Sequence, residues 1–343
     1  MPILRRSLTL AIAVLSASCA SARADAVFDF YRGKQVSMII GTSAGNDYDF
    51  RGRLLARHMG RHIPGQPTIV VRNMPGGGGI VAANWMTSIA PRDGTTLHMI
   101  MSNMMAAQAM GTGGVEFDTR KFIWIGNTTE SPNVTNSWYT SGVRTIDDAR
   151  KHELVLGAPM GTSGVVYATL MNTLAGTKFK IVTGYPGGNE VNLAMERGEV
   201  QGRGSNSWAS WKSTKPEWLK EGKVIPLVQI ALKRHPDMPN VPLLLELAKN
   251  DEDRAVLTFL SADTALSRST ITTAGVPPER VEALRRAFDA TMKDPALLAE
   301  ADKAQMDISP STGEEAQKIA DSIANASPKV VARAKEILGD LVR

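Results

Sequence analysis

Four consecutive glycines after a proline, in Asn73-Met-Pro-Gly-Gly-Gly-Gly-Ile-Val-Ala-Ala-Asn84, constrain this chain more than any other stretch. Such a run cannot stabilise a helix or strand interior, but its backbone takes φ > 0 and can bring N–H groups against something small. The apolar run Thr68-Ile-Val-Val-Arg72 precedes it and Ile80-Val-Ala-Ala83 starts a helix after it. The loop therefore empties onto a helix N-terminus, where unpaired amides and the positive end of the dipole favour an anion. The preceding segment has the same build. Ser37-Met-Ile-Ile40 is a buried-strand run, Gly41-Thr-Ser-Ala-Gly-Asn46 breaks it, and Asp47, Asp49 and Arg51 lead into a helix reaching about His62. A third strand, Thr96–Met101, follows the turn Ala90-Pro-Arg-Asp-Gly94. Strand, helix, strand, helix, strand at this spacing means right-handed crossovers and a parallel sheet, with both glycine turns on its carboxyl edge, where open α/β sheets bind ligands.

The pattern restarts at Phe122-Ile-Trp-Ile-Gly126, which predicts a crossing into a second lobe. There Leu154-Val-Leu156 runs into Gly157-Ala-Pro-Met-Gly-Thr-Ser-Gly164 and a helix from Val165 to Leu174. Phe179-Lys-Ile-Val182 then runs into Gly184-Tyr-Pro-Gly-Gly-Asn-Glu190 and a helix from Val191 to Arg197. Two glycine-rich strand-to-helix turns in each half make a rough two-fold repetition of architecture without a residue-level repeat. A Ser/Trp loop at Ser205–Trp211 and the strand Val224–Ile230, which leads back toward the first lobe, come next. A strand-like piece at Ala262–Ser267 follows, then an amphipathic helix opened by Pro277-Pro-Glu279 and carrying Leu284 and Phe288 inward. Two further helices, around Gly313–Ala324 and Lys329–Leu341, close the chain.

With 43% hydrophobic and 21% charged residues among 343, the chain can bury one large or two medium cores. Residues 1–24 stand apart from them. Arg5 and Arg6, the apolar Leu8–Ala17 and the small-residue site Ala22-Arg-Ala24 or Ala24-Asp-Ala26 make a cleavable secretory signal peptide, so the mature protein is expected to be exported and soluble. Cleavage after Ala24 removes Arg5, Arg6 and Arg23 and no acid, which takes the net charge from +5 to +2. No basic run interleaves with aromatics, so nothing marks a nucleic-acid surface. Cys19, the only cysteine, lies in the signal region, and Ser16 stands three residues before it where a lipoprotein signal has leucine.

Several stretches together carry a resemblance. Ile40–Ala56, "NMPGGGG" at Asn73–Gly79, "APRDGTTL" at Ala90–Leu97, "GYPGGNE" at Gly184–Glu190, "MPNVPLLLEL" at Met238–Leu247 and "GVPPERVEALRRAFDATMKDPAL" at Gly275–Leu297 occur in one order behind a signal peptide. The chain resembles the TctC or Bug family, the periplasmic solute-binding receptors of tripartite tricarboxylate transporters. The resemblance implies an α/β fold of the two-lobe, Venus-flytrap type II periplasmic-binding class, each lobe a mainly parallel sheet flanked by helices. Residues 25–124 plus 232–343 would form lobe 1 and 125–231 lobe 2. It also implies a monomeric periplasmic protein that holds a small carboxylate in the interlobe cleft and hands it to membrane permease subunits, with no cofactor. Carried over, the ligand loops are Ser43, Ala44, Gly45 and Asp49, then Gly77, then Gly161, Thr162 and Ser163, then Tyr185, Gly187 and Gly188. The chain departs from the family at Asn46, Asp47 and Tyr48, where bulk and charge replace glycine.

Loops whose amides point at one space can bind a carboxylate without any arginine, because several N–H bonds favour the charged form. Asp49 either accepts from a ligand hydroxyl or amine, or caps its helix. Trp208 and Trp211 either wall the pocket or pack between the lobes, and two Trp in a polar loop favour the first. His58 and His62, four apart on a helix, lack the Glu and third ligand of a zinc site, so they belong to a solvated helix face. Met99, Met101, Met104 and Met105 belong to the core. Enzyme motifs are missing: there is no Gly-x-Gly-x-x-Gly after a strand and no phosphate-loop Gly-Lys-Ser/Thr. Ser163 also lacks a nucleophile elbow, because Val165 stands at its last glycine place. A secreted hydrolase on a similar sheet, or a sensor docking to a membrane kinase, are the alternatives.

Overall fold

The computed structural model of the chain describes residues 26–342 apart from Met160. The expected signal peptide and Cys19 lie outside the described residues, and among these no helix is long and apolar enough to cross a membrane.

Two sheets organise the molecule. The first contains β1 (Gln35–Ile40), β2 (Thr68–Asn73), β3 (Thr96–Ile100) and β4 (Ile123–Asn127). The second contains β5 (Asn133–Trp138), β6 (Leu154–Pro159), β7 (Phe179–Tyr185), β8 (Gly202–Ser207) and β9 (Val224–Ile230). The chain then returns to the first sheet with β10 (Ser269–Thr272) and the short β11 (Ser311–Thr312), giving the orders β11-β4-β10-β3-β1-β2 and β7-β6-β8-β5-β9.

Each sheet is mixed, and the mixture has a simple origin. Strands joined by a crossover helix are parallel: β1 with β2 and β3, and β6 with β7 and β8. Strands that lead into or out of a crossing between the halves, β4 and β10 in one sheet and β5 and β9 in the other, pair antiparallel. In the first sheet Ile40 lies opposite both Asn73 and Met99, so the turns after β1, β2 and β3 end on one edge.

The residues Phe122–Gly126 do not open the second lobe. Their strand, β4, is held in the first sheet by β10 and β11, and the crossing comes after it, between Asn127 and Asn133. Gly126 shows why. A Cβ there would lie 2.2 Å from the Phe288 ring, so the glycine lets the helix Pro278–Thr291 rest its fully buried Phe288 directly on the strand. Two other segments differ from expectation. Ala262–Leu266 is a 3-10 turn rather than a strand, and the stretch Ser205–Trp211 is the end of β8 followed by a helix rather than a loop.

His58 is not on a solvated face. It is buried, and its Nε2 lies 2.7 Å from Glu300 while His62 Nε2 lies 2.7 Å from Asp294, so both rings tie their helix to the segment around Pro295–Lys303. Met99, Met104 and Met105 are buried in the core. No cluster of three metal-ligating side chains occurs among the described residues.

Candidate ligand-binding site

A cavity of about 340 Å³ lies where the two sheets face each other, within the size range of small-molecule sites. Its wall comes from the turns after the strands of both sheets. Five helices begin there: α1 (Asp47–Met59), α2 (Ile80–Ser88) behind the glycine run, α3 (Ser163–Leu170), α4 (Gly188–Glu196) and α5 (Trp208–Thr214). Only α1 is capped by a side chain, Asn46, whose Oδ1 accepts the Asp49 amide at 3.2 Å. The starts of α3 and α4 have no side-chain cap, so their first amides and the dipole's positive end face the cavity. The first amide of α2 is given to the Gly77 carbonyl, and those of Trp208 and Ala209 in α5 go to the Pro132 carbonyl and Ser131 Oγ.

The expected ligand residues divide into two groups. Ser43, Gly77, Thr162, Ser163, Tyr185, Gly187 and Gly188 are brought together on the cavity wall. Ala44, Gly45, Asp49 and Gly161 are not part of that wall. Ala44 points to solvent. The Gly45 amide is already given to Asp49 Oδ2 at 2.9 Å, and Asp49 also accepts from Asn73 Nδ2 at 2.9 Å and Arg53 Nε at 3.0 Å. Burial works against the Asp49 charge, but the Arg53, Gly45 and Asn73 donors outweigh it and hold the carboxyl below its ordinary pKa. Asp49 is thus a buried tie that shapes the first loop, its helix is capped by Asn46, and its carboxyl does not line the cavity. Gly161, at φ +74°, lies against the Gly77–Gly78 backbone and lines a neighbouring apolar hollow of about 450 Å³.

Asp47 stands out in the sequence as an added charge in the first loop, but the guanidiniums that answer it and Arg203 do not. Asp47, at the first position of α1, is 1% exposed and accepts from Arg51 Nε at 3.0 Å and Arg268 Nε at 2.6 Å, with Ser213 Oγ at 2.7 Å. Burial alone would raise its pKa, but Arg268 and then Arg51 bring it down to about 2. Arg268 reaches the cavity from just before β10, and its guanidinium lies 3.9 Å from the Tyr48 ring centroid, a cation–π stack that aligns both groups along the wall. The charge that Asp47 adds to the first loop is therefore more than neutralised.

On the opposite side Arg203, from β8, enters the same cavity and gives Nη1 to Asn192 Oδ1 at 3.0 Å. Burial pushes its pKa down to about 10, with the Glu190 charge acting the other way. The tryptophans are elsewhere. Trp211 is fully buried and packs near Trp218, while Trp208 donates Nε1 to Asp237 at 2.8 Å, so both belong to the second lobe's core and neither walls the cavity. Trp211 contributes from beneath, with the Arg203 guanidinium 5.5 Å from its ring centroid. A usable signal for Arg203 was present in Gly202-Arg-Gly204: glycines on either side of a strand arginine mark close backbone approach.

The arrangement offers many N–H donors and guanidiniums, which suits binding an anion. Residues 52–337 match the model of the tripartite tricarboxylate transporter family receptor, TctC. The chain belongs to that family. It is also 29% identical over 260 residues, 71% of this chain and 73% of the other, to a UPF0065 protein encoded in the gbd 5' region of Cupriavidus necator. Among solved structures it is similar to the periplasmic binding protein BugD, with a TM-score of 0.68 at 17% identity over 90% of this chain and 98% of that one. It is likewise similar to a Rhodopseudomonas palustris protein solved with adipate, with a TM-score of 0.66 at 18% identity over 89% and 96%. These likenesses fix the two-lobe binding-protein fold, and TctC proteins are receptors rather than enzymes.

Proposed function

We propose that this TctC receptor is exported to the periplasm by a cleaved signal peptide. There, as a monomer, it captures a small organic carboxylate between its lobes and delivers it to the permease subunits of a tripartite tricarboxylate transporter. The observation that carries this is the convergence of glycine-rich turns from both sheets, two of them opening the uncapped helices α3 and α4, with more guanidinium than carboxylate, on one cavity of about 340 Å³. Ser43, Gly77, Thr162, Ser163, Gly187 and Gly188 supply main-chain or hydroxyl donors, and Tyr185 covers the ligand with its half-buried ring. The relative solved with adipate supports an acid as ligand.

Binding and closure are linked. The crossings at residues 128–132 and 231–268 act as the hinge between the sheets, and donors from the second lobe reach the ligand only when it closes. Differential contact with the closed form is what shifts the population. A thermal-shift screen of mono-, di- and tricarboxylates, amino acids and aromatic acids on the mature protein tests this reading. At least one acid should raise Tm and bind stoichiometrically in calorimetry without being consumed. Turnover of an ester or nucleotide, or a complete absence of stabilising acids, would sink it.

A further inference from the structure

Two arginines, Arg203 and Arg268, line the cavity, with Arg51 and Arg53 behind its wall, and of these four one is left over. Arg268 and Arg51 share Asp47, and Arg53 is bound to Asp49. Among the described residues Arg203 has no carboxylate within 4.0 Å and makes one hydrogen bond, from Nη1 to Asn192. Its Nε is buried without a partner, and so is Nδ2 of Asn206 on the same strand, which lines the same cavity. The guanidinium is nevertheless held in place. Its flank faces the buried Trp211 ring, and Nη2 fills the notch left by Gly188, where a Cβ would be only 2.1 Å away. A half-buried cation with a purely structural role would be paired, since withdrawing an isolated charge even partly from water is costly and a ring face or an amide oxygen does not neutralise it. Glu190, the acid nearest in sequence to this helix start, is exposed. On the cavity wall the guanidiniums of Arg203 and Arg268 stand against the single carboxylate of Asp47, which Arg51 also shares from behind.

We infer that Arg203 is a specificity-determining residue that receives a second anionic group of the ligand. One carboxylate is taken by the loop amides and the other by the Arg203 guanidinium, assisted by Asn206. This rests on the carboxylate-receptor reading and narrows it: the preferred ligand is a dicarboxylate, and a monoacid of the same length leaves the enclosed guanidinium without a counter-ion.

Calorimetry on the mature protein tests the inference with matched pairs: succinate and butyrate, glutarate and valerate, adipate and hexanoate, terephthalate and benzoate. The best diacid should bind about 100-fold more tightly than its partner monoacid, as a charge-assisted hydrogen bond in a closed site allows. Arg203→Gln should weaken that diacid by about the same factor and change the monoacid by less than about 3-fold, while Arg203→Lys should recover part of the discrimination through its charge without the planar fork. Equal affinities within every pair in the wild type, or an equal loss for both acids in Arg203→Gln, would overturn the assignment and leave the receptor reading standing. Failure of every acid to bind the folded wild type would overturn both. The comparison of acids on the wild type needs no variant, so a variant that does not fold leaves the inference open to refutation.

Discussion

His98 and Asp263 are buried ionisable residues that pull stability in opposite directions over the same pH window. His98, fully buried in β3 with Nδ1 3.0 Å from the Ile39 carbonyl and Nε2 unpartnered, has its pKa driven down by burial to about 4. Between its unfolded value near 6.5 and about 4 the unfolded chain binds the proton and the folded one does not, so its contribution to stability falls as pH falls. Asp263, buried beside the Tyr167 hydroxyl at 3.2 Å, is raised by burial to about 7 despite that hydrogen bond. From 3.8 to about 7 the folded form holds the proton, so its contribution falls as pH rises. Between pH 4.5 and 6.5 the two slopes largely cancel. Asp263→Asn removes one of them, and its unfolding free energy in urea should then rise by roughly 1 kcal/mol per pH unit across that window, while the wild type stays flatter. Parallel profiles for the two proteins would refute the opposition. At this scale the sequence shows what depends on neighbours along the chain, as the glycines of Gly76–Gly79 do through their positive φ. It does not show what depends on distant packing: Arg268 looks like any charge before a strand, and the pairing of Asp47 with Arg268 and the unpaired state of Arg203 emerge only when the fold encloses them.

Among the elements, α1 depends most on its first turn. Asp47 stabilises the helix start through the dipole and also serves as counter-ion to two buried guanidiniums, one four residues ahead and the other from the segment before β10. Because two guanidiniums would be left uncompensated, Asp47→Asn should lose about 3–5 kcal/mol in chemical denaturation at neutral pH. A loss below about 1 kcal/mol would show that the pair carries no net weight. The carboxyl is held at about 2, so in the wild type this contribution is present above the unfolded value of 3.8 and is lost only as pH drops through that interval. Elements with a strong local period were legible: β1 to β3, the glycine turns and the helix Pro278–Thr291 lie where the apolar spacing puts them. Those without one were not. β8 reads Gly-Arg-Gly-Ser-Asn-Ser, with no apolar alternation, and is a strand because β5 and β6 hold it from both sides. β4 reads as a strand from its apolar run, but its sheet is not legible, because its partners β10 and β11 come more than 140 residues later in the chain.

For the molecule as a whole, one buried apolar cluster runs from Ile39 and Met104 of the first lobe to Leu156 and Tyr167 of the second, and polar contacts join the lobes around the cavity. Ser213 of α5 reaches Asp47, Lys212 pairs with Asp307 at 2.9 Å, and Asn189 donates to the Gly45 carbonyl at 3.1 Å. Between the glycine run and the β6 turn the main chains themselves meet: a Cβ on Gly78 would lie 2.3 Å from the Gly161 carbonyl oxygen. The sequence showed both glycine loops but not that they touch, since their approach belongs to the arrangement of the lobes. If closure is how the ligand gains its second set of donors, a methyl at that point should hold the cleft ajar. Gly78 also sits at φ +63°, so an alanine there carries a local cost of about 1 kcal/mol that must be separated from the effect on closure. Gly33 provides the control, with φ +73° and no atom within 4 Å of an added Cβ. Both alanine variants should lose similar stability without ligand. Only Gly78→Ala should bind the best acid from the screen at least about 10-fold more weakly, the loss expected when the competent closed state becomes a minor one. Small-angle scattering should then show that this variant fails to contract at ligand concentrations that compact the wild type and Gly33→Ala. Undiminished affinity and full contraction in Gly78→Ala would mean that the two loops need not meet for the ligand to be held.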